Sequence, residues 1–193
     1  MGNKLKKNRF ETVIEDGIVY VPLSRGLFAK LDLEDYNNFN VGNYNWYARR
    51  VHYRGQYYLN FYAATTMDGK IIYLHSLLRG KGADHVDGDG LNNLSTNLRP
   101  ATQSQNNANR NKSPNCTSKY KGVSKNKNKW QAQIKHNKKK HYLGRFEKES
   151  DAAICYDREA CKIFGEYAKP NFVIHYDYEA TGGFNKSSTS STV

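Results

Sequence analysis

A short stretch near the middle of the chain carries the side chains that could do chemistry. Residues 84–107 read DHVDGDGLNNLSTNLRPATQSQNN. His85 titrates near neutrality when unperturbed and could act as a general base, and Asp84 offers a hard oxygen ligand for Mg²⁺. A base that activates water, together with a divalent metal that stabilises a leaving oxygen, is the chemistry of phosphodiester hydrolysis. The stretch therefore predicts a metal-assisted hydrolytic site.

Two short strands and a helix must position these groups. The sequence predicts strands at 83–86 and 98–101, with a turn-rich loop between them. A helix is predicted from Thr102, whose spacing to Gln105 is a capping-box pattern, to about Arg110. The order strand, strand, helix would thus gather the candidate residues.

Alternation along a strand limits how these residues can meet. Asp84 and His85 should point to opposite faces of a regular strand, but a twisted strand end running into a loop can bring both to one pocket. Asn106, about one turn into the helix, could offer a second oxygen ligand. Asn97 could hydrogen-bond the imidazole and fix its tautomer.

This stretch resembles the HNH endonucleases with a ββα-metal fold, especially the phage and intron-borne homing type. The resemblance rests on Asp84-His85, the loop DGDGLNN, the run NLRPAT that begins at Asn97, and Asn106. It implies that Asp84 and Asn106 bind one divalent ion, Mg²⁺ or alternatively Mn²⁺. It also implies that His85 is the base and that Asn97 orients it and closes the loop.

Neighbouring features leave some alternatives open. The segment YLHSLL, which begins at Tyr73 and precedes the motif, matches the apolar segment found at that place in the family. It differs at Ser76, where an arginine is common in the family. His75 is either a core or supporting histidine or a catalytic one. The DGDG run is not an EF-hand, because its twelfth position is Leu98 and not glutamate. Asn-rich loops are also often turn chemistry alone.

The charge of the chain indicates a polyanionic partner. Its 193 residues include 30 Lys and Arg against 18 Asp and Glu, a net charge of +12. Between Lys119 and Arg145 the sequence holds ten basic residues and no acidic one. Such a stretch is typical of a surface that contacts phosphates.

The basic stretch falls within a predicted β-β-β-α arrangement. Strands are predicted at 120–124, 129–136 and 139–146, followed by a helix that Ser150 caps and that ends at Phe164. A three-stranded sheet packed on one helix follows from this order.

Residues 118–172 resemble the ethylene-response-factor (APETALA-type) DNA-binding domain. The matching runs are SKYKGV, KWQAQI, HYLGRF and DAA followed by Tyr156-Asp157. Members of that family lay the sheet in the major groove of DNA. Lysines replace several of the family's arginines, so phosphate contacts are the expected role. Trp130 could contact bases or pack. The DNA-binding residues expected from this resemblance and from the charge pattern are Lys119, Lys121, Lys125, Lys127, Lys129, Trp130, Gln131, Gln133, Lys135 and Lys140, together with Arg99 of the nuclease motif.

The N-terminal part of the chain reads as a β-meander. Short predicted strands between residues 12 and 73 are separated by turns, and one helical insert at 33–39 follows Asp32 as its N-cap. The predicted fold class is α+β, with this meander leading into a ββα-metal nuclease unit and then the small sheet on one helix. The predicted limits are 1–70, 71–111, a linker at 112–117, 118–172, and a flexible tail at 173–193.

The composition also indicates in which cellular compartment the protein is expected to act. No run of 18 apolar residues exists, so no membrane span is expected. The three cysteines, Cys116, Cys155 and Cys161, form no C-x-x-C pair, which favours the reducing cytoplasm of a bacterial or phage-infected cell.

The sequence as a whole predicts a site-specific homing-type DNA endonuclease. It would act on double-stranded DNA as a monomer or homodimer, without an obligatory protein partner, and nick one strand per active site. Two alternatives remain at this stage: a DNA-binding regulator that does not cleave, and an RNA-binding protein.

Overall fold

The computed structural model describes residues 10–53, 56–112 and 116–172, without the side chains of 51–53 and 56–59. In this part the chain is a mixed α+β protein with small antiparallel sheets and few helices. It divides into two compact units between Gln103 and Ser104. The predicted flexible tail and residues 113–115 of the predicted linker lie outside the described residues.

The first unit begins with a three-stranded sheet in the order β1-β2-β3. Its strands are β1 (Val13–Glu15), β2 (Ile18–Pro22) and β3 (Phe28–Asp32). Asp16 and Gly17 form the turn between β1 and β2, and both residues have positive φ, as a tight hairpin requires. Strand β3 was not predicted, because Lys30 and the terminal Asp32 obscure its alternating buried Ala29 and Leu31.

A second three-stranded sheet follows, in the order β4-β5-β6. The strands are β4 (Tyr47–Tyr53), β5 (Gln56–Met67) and β6 (Lys70–Tyr73). The region therefore forms two separate sheets and not one continuous meander. The reason is the insert between them: helix α1 (Leu33–Asn38) starts after Asp32 at the N-cap position, as predicted, and a 3-10 turn at Val41–Asn43 follows.

The candidate nuclease motif occupies the end of the first unit and continues into its last helix, most of which belongs to the second unit. Helix α2 (Leu74–Arg79) leads to the antiparallel pair β7 (Ala83–His85) and β8 (Leu98–Pro100), and helix α3 (Gln103–Asn109) starts directly after Thr102. The observed order strand, strand, helix agrees with the predicted order.

One apolar core joins the N-terminal strands to this motif. Val19 and Leu31 of the first sheet pack in the same buried cluster as Leu74, Leu78 and Leu98. The predicted limit at residues 70 and 71 therefore runs through a shared core. Burial of these side chains contributes about 1.5–3 kcal/mol each.

The second unit contains a three-stranded sheet in the order β11-β10-β9 and one long helix. The strands are β9 (Val123–Asn126), β10 (Lys129–His136) and β11 (Lys139–Phe146), and the helix is α4 (Glu149–Phe164). The strand limits of β10 and β11 match the prediction. Helix α4 has 16 residues, and no helix among the described residues has the length and apolarity of a membrane span.

The predicted cap of α4 needs correction. Ser150 lies inside the helix, and Lys148 occupies the N-cap position. Glu149 occupies the first turn, where its carboxylate accepts hydrogen bonds from Ser118 Oγ (2.7 Å) and Lys119 N (3.0 Å). An anchored acidic residue is favourable at a helix N-terminus, so the helix begins before Ser150.

Candidate active site and nucleic-acid interface

The β7–β8 hairpin buries Asp84 in an ion pair. Asp84 lies opposite Arg99 in the strand register, and its Oδ2 accepts hydrogen bonds from Arg99 Nε (3.2 Å) and Nη2 (3.1 Å). The guanidinium that was predicted to contact DNA thus neutralises a buried carboxylate. Removing one partner of such a pair leaves the other charge uncompensated, which is strongly destabilising.

His85 is buried against aromatic rings. Its ring centroid lies 4.9 Å from that of His75 and 5.8 Å from that of Tyr62, both edge-on. Tyr73 stacks on His75 at 5.5 Å. Burial lowers the pKa of His85, although the hydrogen bond with Asn93 and nearby aspartates oppose this. Burial thus favours the neutral form of this imidazole.

His75 shares this environment with His85. Burial and the proximity of His85 lower the pKa of His75 to about 3. Its Nδ1 is buried and has no hydrogen-bond partner among the described residues. The pair therefore consists of two neutral imidazoles in one ring cluster.

The loop between the two strands is closed by Asn97. Its Nδ2 donates to Asp87 Oδ1 (2.9 Å) and to the carbonyl of Asn92 (2.7 Å), and its Oδ1 accepts from Asp87 N (3.1 Å). The imidazole contact comes from another residue, Asn93, whose Oδ1 lies 3.2 Å from His85 Nε2. Two asparagines thus hold the loop and the histidine separately.

Asn106 lies in α3, on the second-unit side of the division at Gln103 and Ser104. Ala108 of the same helix is buried in the core of the second unit. The Oδ1 of Asn106 is buried and has no hydrogen-bond partner within the described ranges. An amide oxygen without a partner is a hard donor that suits a divalent cation, as does the carboxylate of Asp84, so the chemistry of both groups fits the expected metal.

Metal ligands of other kinds are not gathered together. Over the described residues, no group of three or more His, Cys, Asp and Glu side chains could hold a metal ion. Asp84 and Asn106 each offer oxygen donors, which are the ligands that Mg²⁺ and Mn²⁺ prefer.

The sheet of the second unit has one face on α4 and one open face. Ala132 and Ile134 are buried against the helix, so the alternate residues Gln131, Gln133 and Lys135 lie on the other face. The register places their cross-strand partners on the same open face, namely Ser124, Lys140, Tyr142 and Arg145. This open sheet face is polar and basic.

Two of the predicted DNA-binding residues are partly buried in the second unit. Trp130 lies on the same sheet face as Ala132 and packs against the core. Of the two roles considered for Trp130, base contact and packing, the structure shows packing. Lys121 donates from Nζ to the carbonyl of Ala108, and burial together with Lys169 lowers its pKa to about 8. The match at Gly122 also has a packing reason, because a Cβ there would lie 2.0 Å from Tyr156.

The remaining predicted lysines are exposed. Lys119, Lys125 and Lys127 lie at or near β9, and Lys125 Nζ stands 5.8 Å from the Trp130 ring centroid. Lys129 forms a surface ion pair with Glu147 at 2.6 Å. Such an exposed pair contributes little to stability and leaves the amine accessible to a phosphate.

Four residues of the candidate active site and of the open sheet face were not predicted from the sequence. Asn93 and Tyr62 contact His85, and Tyr142 and Arg145 lie on the open sheet face. The alternation of β11 after Lys140 was a signal for Tyr142, whereas Arg145 reaches the same face only because the register shifts between Ala132 and Gln133. Nothing in the sequence distinguishes Asn93 from Asn92, since only the folded loop turns one of them inward.

A neutral buried histidine next to an ion-paired aspartate, on a short hairpin followed by a helix, defines a candidate hydrolytic site. The chain is 32% identical over 179 residues to a protein of Acanthamoeba polyphaga mimivirus named "Uncharacterized HNH endonuclease L560", covering 86% of this chain and 88% of that protein. The chain belongs to the HNH endonuclease family. No family profile and no solved structure matches it.

Proposed function

We propose that the protein is a metal-dependent, site-specific DNA endonuclease of the homing type, with His85 as its general base. The observation that carries the proposal is the neutral, buried imidazole of His85 directly after Asp84 on β7. Membership of the HNH endonuclease family supports it. Each active site would cut one strand of duplex DNA.

In this proposal His85 takes a proton from the attacking water. Burial lowers the pKa of this imidazole and so favours its neutral form, and the rings of Tyr62 and His75 pack against it. Arg99 keeps Asp84 as a charge-balanced carboxylate inside the hairpin.

Asp84 and Asn106 would hold one divalent ion, Mg²⁺ or Mn²⁺. When bound, the ion supplies positive charge that stabilises the leaving oxygen of the phosphodiester. The buried, unpartnered Oδ1 of Asn106 supports its assignment, because a buried acceptor without a partner is costly unless a ligand satisfies it.

The open sheet face of the second unit would bind the duplex. It presents Lys135, Lys140 and Arg145 for phosphates and Gln133 for base edges. Exposed Lys119, Lys125, Lys127 and Lys129 would add phosphate contacts around it. The sheet of the second unit would thus supply affinity and register, while the nuclease motif performs the cleavage.

A cleavage assay with matched histidine variants tests the proposal. The wild type, His85→Ala and His141→Ala are incubated with a phage or bacterial DNA library in Mg²⁺ or Mn²⁺, with and without chelator. We expect discrete cuts by the wild type and the His141 control, and a loss of about 100- to 10,000-fold for His85→Ala. Equal cleavage by His85→Ala would overturn the assignment. Binding without cleavage by every protein would favour a regulator.

A further inference from the structure

Two arginine side chains of the first unit lie against one aromatic ring. The Cζ atom of Arg25 is 5.8 Å from the centroid of the Phe61 ring, and the Cζ atom of Arg50 is 5.9 Å from it. Both arginines are exposed, while Phe61 is half-buried and packs against the core of the first unit. A guanidinium held against a ring keeps N–H groups along its edge for a second partner, and that edge matches the oxygens of a phosphate.

The fold holds Arg25 beside this ring. Arg25 lies in the turn Ser24–Gly26 between β2 and β3, with φ 70° and ψ 17°, a left-handed conformation that residues other than glycine rarely adopt. The backbone N–H of Ala48 in β4 donates to Ser24 Oγ (3.1 Å), which ties the turn to the strand that carries Arg50. Two distant segments of the chain thus bring like charges together at one ring.

A third arginine lies on the other side of β4. Neighbouring residues of a strand point to opposite faces, so Arg49 lies on the face opposite to that of Arg50. The cross-strand partner of Arg49 is Tyr62, whose ring centroid is 5.8 Å from that of His85. Because β4 is at the edge of its sheet, the arginines of β4 and of the attached turn are found along one sheet edge.

These arginines differ from the others of the first unit in their charge balance. Arg79 and Arg99 are each paired with a buried aspartate. Over the described residues, neither Arg25 nor Arg49 forms an ion pair with an acidic side chain. Like charges that no carboxylate balances repel one another, and a bound polyanion removes this cost. The charge along this edge therefore complements the phosphates of a nucleic acid.

We propose that Arg25, Arg49 and Arg50 form a phosphate-binding surface with which the first unit holds the backbone of duplex DNA. This inference rests on the proposed function, since the ligand is the DNA that the candidate site would cut. Strand β5 connects the surface to that site, because Phe61 contacts two of the arginines and the next residue, Tyr62, contacts His85. The N-terminal β-rich region thus adds phosphate contacts to those of the open sheet face.

Titration of the full-length protein with a duplex of randomised sequence tests the inference, in chelator to prevent cleavage and at several salt concentrations. The variants are Arg25→Gly, which suits the left-handed backbone, Arg49→Gln and Arg50→Gln. Lys70→Ala is the matched control, because Lys70 is an exposed cation on β6 at the opposite edge of the same sheet. We expect the slope of log affinity against log salt to decrease by about 1 for each arginine removed, and to stay unchanged in the control. Unchanged slopes in the three arginine variants, or an equal decrease in Lys70→Ala, would overturn the inference.

Ethylation of single phosphates provides a second readout, on a duplex that the wild type cuts in the cleavage assay. Ethylation removes the charge of a phosphate, so at positions beside the cut it should weaken binding by the wild type. At one or more of these positions it should no longer weaken binding by Arg25→Gly. The same interference pattern in both proteins would contradict the inference.

Failure of this inference is distinguishable from failure of the proposed function. A wild type that cuts no duplex would contradict the proposed function, while the salt slopes, measured without cleavage, would still decide whether the arginines bind DNA. Cleavage by the wild type together with unchanged slopes in the arginine variants would overturn the phosphate-binding surface alone.

Discussion

At the scale of single residues, close packing around the loop between β7 and β8 restricts which side chains fit beside the candidate site. Gly90 is buried in the loop between β7 and β8, and a Cβ there would lie 2.4 Å from the carbonyl oxygen of Phe61 and 2.6 Å from the Tyr62 ring. Neither the backbone of Phe61 nor the ring of Tyr62, which contacts His85, can move away without a cost in free energy. The position therefore has no room for a side chain larger than that of glycine.

Gly90→Ala should destabilise the first unit by about 1–3 kcal/mol, because the added methyl group overpacks a filled position. The measurement is the urea midpoint of unfolding. Gly69→Ala is the control, since Gly69 has positive φ but no neighbour within 4 Å of its added Cβ. A Gly90 variant no less stable than this control would contradict the steric explanation.

The lowered pKa of the half-buried His75 predicts a pH dependence of stability. Its pKa is about 3 in the folded protein, against the ordinary value of 6.5 that the unfolded chain retains, so between these values the unfolded chain binds the extra proton. Stability is thus fully present above pH 6.5 and falls as the pH decreases toward 3.

His75→Phe should weaken that dependence. It keeps a ring against Tyr73 and removes the titrating group, so the urea midpoint of the first unit should fall less between pH 7 and pH 5 than in the wild type. Part of the fall should remain, because the pKa of His85 is also lowered by burial. The exposed control His141→Ala should retain the wild-type slope; an equal slope in His75→Phe would refute the assignment.

At the scale of elements, strand alternation separates a packing face from a binding face in the second unit. Along β10, Ala132 and Ile134 are buried while Gln133 and Lys135 lie on the open side. The register then brings Lys140 of β11 opposite Lys135. One strand thus carries both a core contact and a candidate DNA contact.

Two substitutions on β10 should have different effects on DNA binding. Lys135→Ala should weaken binding to all sequences and reduce the salt-dependence slope by about 1, because a phosphate contact carries no sequence information. Gln133→Ala should relax selection at one base pair, at a cost of about 1–3 kcal/mol there.

Binding is measured by titration of selected and randomised duplexes at several salt concentrations. Lys162→Ala, on the exposed surface of α4 away from the sheet, should match the wild type. A Lys135→Ala protein with unchanged salt slope would remove the open sheet face as the binding surface.

At the scale of the whole molecule, the division into units follows the cores. The core of the first unit takes Leu31 from β3 and Leu78 and Leu98 from the nuclease motif, so the N-terminal sheets and the motif stabilise one another. In the second unit, the buried Asp157 accepts hydrogen bonds from Asn171 and from the Phe172 backbone, which ties the chain after α4 to its helix.

A fragment of residues 71–112 should not unfold cooperatively, because it lacks the apolar partners of Leu74 and Leu78. A fragment of residues 1–112 should retain a cooperative transition in urea, since it contains the complete first core. Cooperative unfolding of the shorter fragment would show that the nuclease motif folds independently.

Much of this architecture was predictable from local patterns. Turn residues such as Asp16-Gly17 adopt backbone conformations that few other residues favour, and the turns at 126–128 and 136–138 indicated the limits of β10 and β11. The candidate base His85 and its neighbour Asp84 also followed from residue type and spacing, because a base and a hard ligand are properties of the side chains themselves.

Only the tertiary structure decided which groups meet. The contact of Asn93 with His85, the use of Arg99 to neutralise Asp84 and the burial of Lys121 arise from chain segments that fold together across the unit. The local sequence determines which backbone conformation a segment prefers and which chemistry its side chains can perform, since both are set by a residue and its near neighbours. Burial and the choice of partner depend on packing between distant segments, so the hydrogen bonds of Lys30 in β3 to Leu91 and Asn93 of the loop beside His85 were decided by the tertiary structure alone.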